Sequence, residues 1–189
     1  PVLLLVPMLA CLTTPHAILA DDRDQLNNEE KAYVAAVESA LDRAYAVTTE
    51  VDEIAAGGLI ESIFIRDEGS TSTLTALLDQ ADRVLKECAA VLLQDSPFSM
   101  TTLEGSYVGT AEIFETGYSA CRGIVVEEGE NKALEWGKDV LGDIYGIGGD
   151  SDSGGGLAAT ARIKGCIASR STAISEASRG ARGLLVSKI

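Results

Sequence analysis

Apolar side chains recur at spacings of three and four along most of this 189-residue chain, and that period constrains the fold more than any motif does. A helix of 3.6 residues per turn gathers such positions onto one face, whereas a strand needs strict alternation. Val37, Leu41, Ala44, Val47, Val51 and Ile54 predict a helix over 28–56, stopped by Gly57 and Gly58. Leu74, Leu77, Leu78, Ala81, Val84, Leu85, Cys88, Val91 and Leu92 predict a second, ended by Ser96 and Pro97. Between them, Leu59 to Ile65 is too short to separate a helical turn from a strand.

A third segment, 101–126, carries Leu103, Tyr107, Thr110, Phe114, Tyr118, Cys121 and Val125 in register. Its glycines weaken helix propensity, and the pair Gly105 and Gly109, four apart, predicts close approach of a neighbouring helix. Glu104, Glu112, Glu115 and Arg122 exclude a membrane-spanning version of that motif. A fourth helix is expected over 131–145, with Leu134, Gly137, Val140, Leu141 and Ile144 inward, and the sole tryptophan, Trp136, is expected in the core with Tyr107, Phe114 and Tyr118. The run 146–156, mostly Gly, Ser and Asp, reads as a flexible loop, and a last helix over 157–186 aligns Ile163, Ile167, Ile174, Ala177, Ala181 and Leu184. Each helix has one apolar stripe, so none is stable alone. The fold class is all-α, an up-and-down antiparallel helical bundle of four long helices plus an N-terminal helix, with little or no sheet.

Residues 1–20 contain no charged side chain, and Asp21, Asp22, Arg23 and Asp24 follow at once. This pattern predicts a signal peptide over 1–20, cut after Ala20, and a single helical domain over 21–189. Export to the extracellular space, a periplasm or an organelle lumen follows. Pro7, Pro15 and His16 interrupt the stretch too often for a membrane span, and none is expected in the mature chain.

Cys11 leaves with the leader, so Cys88, Cys121 and Cys166 remain in an oxidising compartment. In a hairpin folded at Pro97, Cys88 and Cys121 fall about 20 Å apart along the axis. The expected disulfide is Cys88 to Cys166, which leaves Cys121 as the free thiol. The rival pair, Cys121 to Cys166, requires the third and last segments to be neighbours rather than diagonal, and three buried thiols are the remaining alternative.

The only histidine, His16, lies in the expected leader, which removes histidine-based catalysis and histidine zinc sites from the mature chain. The start of a calcium loop at Asp150, Ser151 and Asp152 fails, because Gly154 and Ala161 stand at ligand positions. Carboxylate pairs such as Glu112 with Glu115, Glu127 with Glu128 and Asp42 with Glu38 read as solvated helix faces. No catalytic residue, metal or cofactor is expected. With 29 acidic and 15 basic residues and a net charge of -14, the surface repels nucleic acid and favours a protein partner, including a basic one. The chain therefore reads as a non-enzymatic interaction, subunit or surface component. A carrier holding a small apolar ligand in a cavity between helices is one alternative, and an enzyme without histidine chemistry is another.

Overall fold

The computed structural model describes residues 26–98, 101–145 and 154–187. The leader expected over 1–20 and the loop residues 146–153 lie outside them. All regular elements among the described residues are helices: α1 (Asn28–Ala56), α2 (Leu59–Phe64), α3 (Thr71–Leu92), α4 (Thr101–Thr116), α5 (Ser119–Tyr145) and α6 (Gly154–Val186).

Local chemistry sets the boundaries. Asn27 caps α1 by accepting from the backbone N–H groups of Glu29 and Glu30, and the Glu30 carboxylate accepts from the Asn27 N–H in return. Gly58, with φ of 89°, turns the chain into α2, where Ile60, Ile63 and Phe64 are buried. That resolves the ambiguous apolar stretch as a helix. Ser70 caps α3 through its hydroxyl.

Four rods result: α1, α3, the α4–α5 pair and α6. α1 packs on α3 and α6, while α4 and α5 both pack on α3 and α6, so the rods close a ring and α2 plugs one end against α6. Their hydrogen bonds and ion pairs show the directions. Tyr118 meets Asp82 while Arg122 meets Asp79; Arg170 meets Gly117 while Arg162 meets Glu127. Numbering rises on one rod as it falls on its neighbour, as an up-and-down bundle demands.

The core follows the predicted stripes. Val37, Leu41 and Ala44 of α1, Leu74, Leu78 and Leu85 of α3, Tyr107 and Phe114 of α4, Val125 of α5 and Ile163, Ile167 and Ile174 of α6 are all buried, as is Tyr118 between α4 and α5.

The third and fourth predicted segments are divided differently. No break separates 126 from 131; the acidic run Glu127, Glu128 and Glu130 stays helical within α5. The break falls at Gly117 instead, whose φ of 42° ends α4. At the other end of the expected loop, Gly154, Gly155 and Gly156 already belong to α6.

Candidate functional site

Two features exceed what packing requires, a polar layer at the helix break and an overhang at the end of α5. The break is capped from outside its own rod. The Tyr118 N–H donates to the Asp82 carboxylate of α3 at 2.5 Å. The Arg170 guanidinium of α6 donates to the carbonyls of Gly117 and Ile113 at 2.7 and 3.1 Å. An anion thus sits at the N-terminus of α5 and a cation at the C-terminus of α4, the signs that helix dipoles favour. The Tyr118 hydroxyl lies 2.9 Å from the Ser171 hydroxyl, which in turn donates to Asp52 at 2.6 Å. Burial pushes the Asp82 carboxyl and the Tyr118 phenol above their usual values, against the opposing pull of the Tyr118 N–H on one and of Ser171 on the other. The one buried acid among the described residues is consumed in closing a helix.

The overhang comes from unequal rod lengths. α3 has 22 residues and α5 has 27 after the break. Gly129 of α5 abuts Thr71, the first residue of α3, so closely that a Cβ there would lie 2.8 Å from the threonine methyl. α5 therefore runs about 24 Å past the start of α3 at 1.5 Å per residue. Gly155, in the first turn of α6, lies beside the Glu135 carboxylate. Beyond Trp136 neither rod accompanies α5, and after Val125 none of its described side chains is buried.

Trp136 and Leu134 are exposed, at 66% and 64%, as is Val140. This corrects the expectation of a buried tryptophan and an inward Leu134 and Val140. At 3.6 residues per turn Leu134 lies about 180° from the buried Val125 and so faces away from the bundle. Trp136 and Val140 keep the phase of Val125 but lie past the start of α3 at the level of Gly129. Trp136 forms one wall of a groove of about 380 Å3 lined also by Ile63, Asp67, Ser70, Thr71 and Lys132. The Lys132 ammonium crosses it, donating to the Ile63 carbonyl and pairing with Asp67, whose φ is 60°. Beneath, the Lys164 ammonium bonds Glu61 and holds that carboxyl below its usual range.

The cysteines pair as the rival arrangement. Cys121 of α5 is bonded to Cys166 of α6, with Cα atoms 5.6 Å apart, and Cys88 is a buried free thiol whose pKa burial raises. The expected Cys88–Cys166 bond and free Cys121 are thus corrected. α3 and α6 lie across the diagonal of the ring, and the register of the ion pairs puts Cys88 level with residue 174, about 12 Å from Cys166 along the axis. α5 and α6 are neighbours.

The glycines also differ from expectation. A Cβ at Gly109 would meet nothing within 4 Å, so it faces outward rather than receiving a helix. The close approaches occur at Gly117, Gly129 and Gly156, where added carbons would overlap Asp82, Thr71 and the Phe64 carbonyl. The interior proposed for a carrier is occupied by Tyr107, Phe114, Tyr118, Ile163 and Ile167. Of the carboxylate pairs, Glu127 and Glu128 bind Arg162 and Asp42 binds Arg182, while Glu112 and Glu115 are exposed. Among the described residues no cluster of three metal-ligating side chains occurs, and no helix is long and apolar enough to cross a membrane. Comparison with known protein families, with curated protein sequences and with solved structures yields no match.

Proposed function

We propose that the chain is an exported, non-enzymatic interaction protein, a subunit or surface component that engages a protein partner with the overhanging end of α5. The observation that carries this reading is the exposure of Trp136 and Leu134 on the part of α5 that extends past the start of α3. Tryptophan is the side chain most enriched among interface hot spots, and its exposure costs the free protein apolar hydration that a partner would relieve. Glu68, Glu130 and Glu135 are exposed around it, and with the net charge of -14 they favour a partner with a basic rim. The Cys121–Cys166 bond suits an oxidising compartment and so supports export.

The test is capture of partners from the native source by the intact protein and by Leu134→Asp and Trp136→Ala variants. Both positions are exposed, so both variants keep the wild-type helical spectrum. A partner held by the wild type and lost by both variants is expected. Undiminished capture by both would remove the overhang from the interaction.

A further inference from the structure

Beneath the overhang the groove carries more than apolar surface, and we propose that it binds a neutral pyranose ring, as a free sugar or as the glycan of a partner. This deepens the reading of the overhang as the binding end and rests on it. The groove's volume of about 380 Å3 falls in the range of small-molecule sites. Its two kinds of wall match the two kinds of surface a sugar ring has. Trp136 offers an exposed indole, with the exposed Ala133 beside it on α5, apolar surface suited to the C–H face of a ring. Asp67, Lys132 and Thr71 offer hydrogen-bonding groups on the other sides.

The polar groups select the ligand's charge. The Lys132 ammonium gives one proton to the Ile63 carbonyl and pairs with Asp67, which leaves a third N–H, and the Asp67 carboxylate keeps a second oxygen. A fixed donor beside a fixed acceptor suits vicinal hydroxyls, each of which both donates and accepts. An anionic ligand would have to displace Asp67 and approach a protein of charge -14, and a cation would have to displace Lys132. A purely apolar ligand would desolvate the ion pair with nothing in return.

The site is also preorganised. The Glu68 N–H bonds the Ser62 carbonyl and the Arg66 N–H bonds the Glu61 carbonyl, which fix the Asp67 loop. Gly69 and Gly129 hold the walls, since an added Cβ would lie 2.8 Å from Ile63 and from Thr71 respectively. A groove held this rigidly loses little entropy on binding.

Trp136 is the only tryptophan in the chain, so its emission reports the groove directly. The experiment titrates the full chain with methyl glycosides of glucose, galactose, mannose and N-acetylglucosamine, with methyl glucuronide and glucosamine as charged controls. A saturable change with at least one neutral glycoside is expected, weakened about 10-fold or more in Asp67→Asn. Asparagine tolerates the left-handed backbone of that position, so the variant folds. Saturation-transfer NMR should show binding kept in Trp136→Phe and lost in Trp136→Ala. Silence across the neutral panel, a preference for either charged control, or binding unchanged in both Asp67→Asn and Trp136→Ala overturns the proposal. The two readings fail separately. A silent sugar panel with partner capture still lost in Leu134→Asp removes the saccharide alone, whereas sugar binding with undiminished capture removes the protein partner.

Discussion

Substituting Gly117 by Ala perturbs the helix break at its centre. Its φ of 42° places a β-carbon in the left-handed region, which costs a non-glycine residue about 1–2 kcal/mol. The same carbon would overlap the Asp82 carboxylate, forcing it off the buried Tyr118 N–H, and a hydrogen bond to a charged group contributes about 1.5–3 kcal/mol. Gly117→Ala is therefore expected to destabilise the bundle by about 2.5–5 kcal/mol. The two contributions separate in a double-mutant cycle. Once Asp82→Ala has removed the carboxylate, Gly117→Ala should cost only the backbone part, about 1–2 kcal/mol, giving a coupling of about 1.5–3 kcal/mol. Urea unfolding followed by helical circular dichroism at neutral pH, with the disulfide intact, measures all four proteins. If the two substitutions add to within about 0.5 kcal/mol, Asp82 does not cap α5 and the account of the break is wrong.

Three further outcomes follow from the same geometry. Asp82 has a folded-state pKa raised above that of the unfolded chain, so the folded state binds the proton first as pH falls, and stability is gained as the pH drops through the folded value toward the unfolded one; relative to Asp82→Asn, the wild type should become more stable as the pH is lowered from neutrality toward the unfolded carboxyl's value in a series of urea titrations. Cys121→Ser with Cys166→Ser opens a loop with a sequence separation of 45, and chain entropy predicts a loss of about 4 kcal/mol, while alkylation of the native protein should leave the buried Cys88 untouched until denaturant is added, as intact-mass analysis would show. Acrylamide should quench Trp136 nearly as well in the native protein as in urea, since the indole is already 66% exposed.

The fold was legible where one residue's neighbours lie in its own turn of helix. The stripes of α1 and α3 and the glycine stop of α1 are local properties, and each appeared where its chemistry put it, while α3 ends at Leu92, a few residues before the expected Ser96 and Pro97. What the sequence hid depends on other rods. Gly117 resembles Gly109 and Gly123 in sequence, yet only Gly117 has a carboxylate pressed against it, and that carboxylate is 35 residues away. Cys88, Cys121 and Cys166 all sit on apolar stripes, and choosing between them required knowing which rods share an edge of the ring. Trp136 and Val140 continue the apolar phase of α5 faithfully; their exposure reflects where α3 and α6 begin. One signal was available: 45 residues of nearly continuous helical pattern between 101 and 145 cannot be matched by the 22 residues of α3, so some of that rod had to stand alone.

The staple between Cys121 and Cys166 has a mechanical consequence. It joins α5 to α6 about 22 Å below Trp136, at 1.5 Å per residue, within the length where the two helices pack together. A load applied at the tip would act as a lever tending to peel one helix from its neighbour, and the first lasting obstacle it meets is a covalent bond. Peeling of α5 from α6 would thereby stop at Cys121, before it reached the break at Gly117.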